Sequence, residues 1–216
     1  MPEGAPKSWK QPNLMATRIL NRSRFGDPLD KGRTMSREQA MQLLSDWVGN
    51  EKLILHMRQV GALMGTWAKE RESLSTEDAW RWELAGLLHD ADWDRWPDEH
   101  CARIVNELEQ RHIDPEIIRA IASHGPAHFG VEPDTRMDKM LYAFDELSGL
   151  VHAYSLMRPE GYVGMEVKGV RKRLKEKTFA ANVSRDDIRD ACERAGIELD
   201  DLISFIIRHQ SAITLS

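Results

Sequence analysis

From Ser36 onward, apolar residues recur at intervals of three and four with hardly a break, the spacing of one face of a helix. The stretch SREQAMQLLSDWV opens with Ser36 and Gln39, a capping-box pair, and its helix should end near Gly49. Asn50 then caps a long helix through Glu70, and Ser75 or Thr76 starts the next, which runs into His89. PDEHCARIVNELEQRH predicts another, beginning at Pro97 or Asp98. Asp114-Pro115, an N-cap followed by proline at the first helical position, opens a short helix to about Ser123. Asp134 or Thr135 begins a long one that ends before Arg158-Pro159. Three more are predicted at about 164–177, at 185–195 between Ser184 and Gly196, and at 198–212. No alternating strand pattern, internal repeat or low-complexity tract interrupts them. The predicted fold class is all-α, a single-domain helical bundle.

Polar residues occupy several positions that this pattern reserves for apolar ones. The run Leu84-Ala85-Gly86-Leu87-Leu88 stops at His89-Asp90. On the 51–70 helix, Leu53, Val60, Leu63 and Trp67 form the apolar stripe, and His56 falls inside it. Ile117 and Ile121 make a stripe whose next member is His124. Asp145 has Leu141 before it and Ser148 and Gly149 after it, beside the stripe of Met140, Phe144, Leu147 and Val151. His100 opens its predicted helix above Ile104 and Leu108. A lone histidine in such a place is more often an ordinary core residue. A buried carboxylate is harder to dismiss, because it costs several kcal/mol unless a cation or several donors compensate. One metal centre of one or two ions accounts for all of these residues together. Imidazole and carboxylate suit Mn, Fe, Co, Ni or Zn, and ligands drawn from separate helices of a bundle suit a catalytic site. The spacings are too long for a zinc finger, and HExxH is missing.

Composition narrows the setting. A chain of 216 residues, 41% hydrophobic and 30% charged, fits one globular domain with a sizeable core. Its net charge of −5 gives no general attraction to nucleic acid. No apolar run approaches the ~20 residues that span a bilayer, and no apolar leader precedes the domain, so a cytoplasmic location without membrane contact is expected. Cys101 and Cys192 lie far apart and form no CxxC, which reads as structural thiols in a reducing compartment. Residues 1–35 carry seven Lys/Arg against three acids and show no apolar period, which predicts a flexible or peripheral arm. The helical domain then takes 36–216, with the metal-site core at about 50–158 and the C-terminal helices at 164–212.

The series His56, His89-Asp90, Asp145 resembles the H…HD…D signature of the HD superfamily of metal-dependent phosphohydrolases, in which LLHD at a helix end is the most recognisable element. HDADW with PDEH after it, AIASH, YAFDELSGL followed by MRP, and EVKGVRKRLKEKTFAA look like one subgroup of stand-alone predicted HD hydrolases. The resemblance covers roughly residues 36–205. It implies an HD-type bundle in which His56, His89, Asp90 and Asp145 hold one metal. With two ions, Asp90 would bridge to the second, held by His100 and His124; with one, His100 and His124 would touch the substrate's phosphate. The implied reaction is hydrolysis of a small phosphorylated substrate, such as a nucleotide, by metal-activated water. An HD-fold di-iron oxygenase and a non-catalytic ligand-binding HD module are the alternatives. Asp92, ahead of Asp94 and Glu99, is the candidate to move the leaving-group proton, against a solvent-facing place for each of the three acids. Trp93 and Trp96 either pack under a loop or stack on a base. Lys168, Arg171, Lys172 and Lys175 share one side of a basic segment and are expected to bind the phosphate. His152 fits no position of the signature and reads as supporting or incidental; His112, His128 and His209 carry no expected role.

Overall fold

The computed structural model describes residues 32–213. The expected N-terminal arm therefore falls almost wholly outside the described residues. Helix α1 (Arg37–Trp47) starts at Ser36, whose side chain accepts from Gln39 N while Gln39 returns to Ser36 N at 2.9 Å. Asn50 caps α2 (Glu51–Glu70), accepting from the amides of Lys52 and Leu53, and Ser75 caps α3 (Thr76–Leu88). Then come α4 (Ala102–Gln110), α5 (Pro115–Ala122) capped by Asp114, and the single turn α6 (Pro126–Phe129). A Thr135–Asp138 capping box opens α7 (Arg136–Leu156). The last three are α8 (Val167–Lys175), α9 (Arg185–Ala195) between Ser184 and Gly196, and α10 (Leu199–Gln210). The fold is all-α: among the described residues β pairing is limited to the isolated bridge Arg33–Ile113.

Helix α2 is the hub, packing on α3, α7 and α10. Its contact with α3 is made through glycine. A Cβ on Gly86 would lie 2.8 Å from the Gly61 backbone, and one on Gly61 would lie 2.9 Å from the Glu83 carbonyl. This close approach sets His56 on α2 beside His89 at the end of α3, with ring centroids 5.2 Å apart. Farther along the bundle, Trp67 meets Phe205 and Phe144 edge-on at 4.9 and 5.7 Å, closing the core between α2, α7 and α10.

Two boundaries differ from the sequence expectation. Pro97–Glu99 is a separate 3-10 turn, a cis peptide follows at His100–Cys101, and α4 starts only at Ala102. His100 therefore precedes α4 and does not open it. The cause lies upstream: Cys101 offers no capping side chain, and the Asp92 carboxylate takes the Ile104 amide instead, at 2.9 Å. Helix α8 begins three residues later than expected, because Gly161 and Gly164 adopt left-handed backbone angles in the loop before it.

Gly86→Ala is expected to destabilise the protein by about 1–3 kcal/mol, the usual effect of overpacking a tight contact. Urea unfolding checks it, and an unchanged midpoint would show that α2 and α3 can separate freely.

Candidate metal centre

The six residues singled out from the sequence converge from five places in the fold. Helix α2 supplies His56, and the turn that ends α3 supplies His89 and Asp90. His100 comes from the segment before α4, His124 from just beyond α5, and Asp145 from the middle of α7. They form two groups, His56–His89–Asp145 and Asp90–His100–His124, each with one potential ligand atom per residue, all within 4.8 Å of one another. Asp90 joins the groups. Its Oδ2 faces His89 Nε2 at 3.5 Å and His56 Nε2 at 4.0 Å, while its Oδ1 faces His100 and His124 at 3.4 and 3.6 Å. Asp145 Oδ1 serves the first group alone, 3.0 Å from His56 and 3.3 Å from His89.

Three of the imidazoles have their tautomer set by what Nδ1 touches. His89 Nδ1 donates to the Gly86 carbonyl at 2.8 Å, and His124 Nδ1 to the Ile121 carbonyl at 2.6 Å. His100 Nδ1 donates to Asp92 Oδ1 at 2.6 Å. In the neutral ring each Nε2 then carries a lone pair, and each lone pair is aimed at a carboxylate. Lone pair against lone pair is repulsive, and a proton or a metal ion placed between them reverses the sign. His89 Nε2 makes the point: it is buried, 3.3–3.5 Å from two carboxylates, and makes no hydrogen bond. Burial opposes charge on this ring, yet Asp90 and Asp145 outweigh burial and raise its pKa to about 9. Burial likewise opposes charge on Asp90 and Asp145, and the surrounding imidazoles hold both carboxyls well below the ordinary range. The pocket attracts positive charge at its centre, and its nitrogen and oxygen donors suit a divalent transition metal.

Other expected site residues occupy different places. Asp92 is fully buried with both oxygens engaged, one by His100 and one by the Ile104 amide. The expectation that it hands a proton to a leaving group is therefore corrected: Asp92 aims His100. Asp94 accepts from the amides of Gly49 and Asn50 at 2.8 and 3.0 Å, and Glu99 pairs with Arg103, so neither points into the centre. Trp93 is half-buried and meets His100 edge-on at 4.8 Å. Lys168 pairs with Glu166 and Arg171 with Asp200 on exposed parts of α8 and its neighbours. Among the described contacts, none links Lys168, Arg171 or Lys172 to the six residues. Lys168 instead borders an open surface pocket of about 430 Å³ with Met165, Val167, Ser204 and Ile207.

Some contributors carry no clear sequence signal. Phe129, on α6, packs its ring against His100 and His124 at 5.1 and 5.0 Å, and Gly125 gives it room, since a Cβ there would lie 2.7 Å from the ring. Glu146 directly follows Asp145. Burial and the Asp145 charge push its carboxyl up to about 8 while it accepts from the Ser184 amide at 3.1 Å. Cys101 is buried against the Ile121 carbonyl, and burial, with Asp92 and Asp90 nearby, pushes its thiol well above the ordinary value.

The family model described as HD domain matches residues 53–150, the segment that contains all six residues. No curated protein and no solved structure matches the chain.

Asp92→Asn is expected to leave the fold intact and weaken metal binding by the Asp90–His100–His124 group about 10–100-fold, as loss of a carboxylate behind a ligating imidazole does. Metal titration of the folded variant measures this. Unchanged affinity would make the Asp92–His100 bond incidental.

Proposed function

With its HD domain the chain belongs to the HD superfamily, and on that premise we propose that it is a metal-dependent phosphohydrolase of a small phosphoester, such as a nucleotide. The observation that carries this reading is the set of Nε2 lone pairs turned by fixed Nδ1 contacts onto two partly buried carboxylates. His56, His89 and Asp145 would hold one divalent ion, and Asp90, His100 and His124 a second, with Asp90 shared. A metal bound there supplies Lewis acidity, activating water near neutral pH and drawing charge from a phosphoryl oxygen.

The chain's own groups support that chemistry by being fixed in advance. The Gly86 and Ile121 carbonyls and the Asp92 carboxylate hold three rings in one orientation, so little reorganisation is needed on binding. Apolar neighbours limit water around them: Leu88 and Ile121 are fully buried, and Phe129 covers His100 and His124. The side chains of His56, Asp90 and Asp145 retain 23%, 17% and 18% exposure, so the centre opens to solvent on their side, where a substrate can enter.

Protein purified without chelator is expected to carry a transition metal and to hydrolyse members of a panel of nucleotides and sugar phosphates. Asp90→Ala should fold, lose its metal and lose this activity. Full metal occupancy in the folded variant would overturn the assignment of Asp90. Dioxygen consumption by the iron-loaded protein, without phosphatase activity, would replace hydrolysis with the oxygenase reading.

A further inference from the structure

Beside the six residues, a buried hydrogen-bond chain decides where the proton sits on an imidazole that neither metal group uses. Its fixed end is the main-chain carbonyl of Ser148, which can only accept. Gln210 is fully buried and lies 3.1 Å from that oxygen, so the atom facing it is the amide nitrogen. The same nitrogen lies 2.8 Å from Gln59 Oε1. Gln59 is thereby oriented as well, and its amide nitrogen faces His152 Nδ1 at 3.4 Å. Reversing Gln210 would set its oxygen against two other oxygens. The observed orientation prevails even though it leaves Gln210 Oε1 buried without a hydrogen-bond partner. An amide nitrogen only donates, so His152 Nδ1 is an acceptor. The Tyr162 hydroxyl, which can donate or accept and also meets Ser155, Gln59 and Gln210, lies 3.0 Å from the same atom and is compatible with Nδ1 as the acceptor. The His152 proton is therefore on Nε2.

This chain adjoins the metal centre along two helices. Gln59 stands one turn beyond His56 on α2, and His152 stands two turns beyond Asp145 on nearly the same face of α7. Burial lowers the basicity of His152, and the neighbouring His56 lowers it further. Tyr162 is held in place by Arg158, which donates to the Gly161 and Val163 carbonyls at 2.8 and 2.7 Å. The His152 ring is only half-buried, and within the described residues its Nε2–H makes no hydrogen bond.

We infer that His152 contacts the substrate, its Nε2–H donating to an oxygen of the phosphorylated ligand bound at the adjoining centre. Gln59, Gln210 and Tyr162 are positioning residues that keep the proton on that nitrogen. This assignment rests on the phosphoester reading given above.

The test uses zinc-loaded protein with inorganic phosphate as the probe. His152→Ala should keep full metal content and bind phosphate about tenfold more weakly, the effect of one lost hydrogen bond to a charged acceptor. His152→Asn, which restores an N–H donor, should recover part of the loss. Long-range 1H–15N spectra of histidine-labelled protein should place the His152 proton on Nε2, and Gln59→Glu, which presents an acceptor to Nδ1, should move it. A proton on Nδ1 in the unaltered protein, or unchanged phosphate affinity in metal-filled His152→Ala, overturns the inference alone. Failure of the unaltered zinc-loaded protein to bind phosphate would overturn the phosphoester reading itself.

Discussion

Two carboxylates held close together in a largely apolar interior, Asp90 and Asp145, are the constraint around which this bundle is arranged. Each is surrounded by imidazole nitrogens and not by the amides that usually satisfy a buried acid. For His89, His100 and His124 the neutral ring keeps its proton on the far side, so these Nε2 atoms meet the carboxylates as lone pairs until a proton or a metal ion lies between them. The arrangement is electrostatically frustrated without a cation and complementary with one. The same residues thus raise the folding cost of the bare site and define what it binds.

The frame supplies the necessary rigidity by simple means. Glycines at 61 and 86 let α2 and α3 touch backbone to backbone, and the Gly86 carbonyl at that contact also receives the His89 proton. Asp92 serves two elements at once, ordering the start of α4 and aiming His100. Asp94, two residues on, ties the same turn to the α1–α2 junction through Gly49 and Asn50. A stretch of a few residues after α3 therefore fixes ligand geometry, helix initiation and inter-helix packing together.

Much of this was legible in the sequence, because helix caps and apolar periodicity are local signals. Ser36–Gln39, Asn50, Ser75, Asp114-Pro115 and Ser184…Gly196 mark helix ends as expected. The six residues stood out because each interrupts an apolar face, and the structure brings them together. What stayed hidden depends on contacts between distant residues. The start of α4 is set by a carboxylate twelve positions upstream of Ile104, which no local rule anticipates. Asp92 looked like a proton donor from its place in the chain, whereas its role follows from burial and two partners. The basic side of α8 read as a phosphate surface, but Glu166 and Asp200 engage Lys168 and Arg171 there. His152 matches no position of the signature, and its ring state depends on the path from Ser148 through two glutamines, which no local pattern shows.

The acceptors behind the three pinned rings differ in kind, and that difference has an evolutionary consequence. Those behind His89 and His124 are main-chain carbonyls, which no side-chain change deletes, although at Gly86 any Cβ would meet the Gly61 backbone at 2.8 Å. The acceptor behind His100 is a side chain, which one codon change removes. The acceptors of the first two rings are therefore not lost by a side-chain change at their own positions, while that of the third is open to drift. Divergence among descendants of such a chain would begin at residue 92, on the His100 side of the centre, before it reached the His89 side.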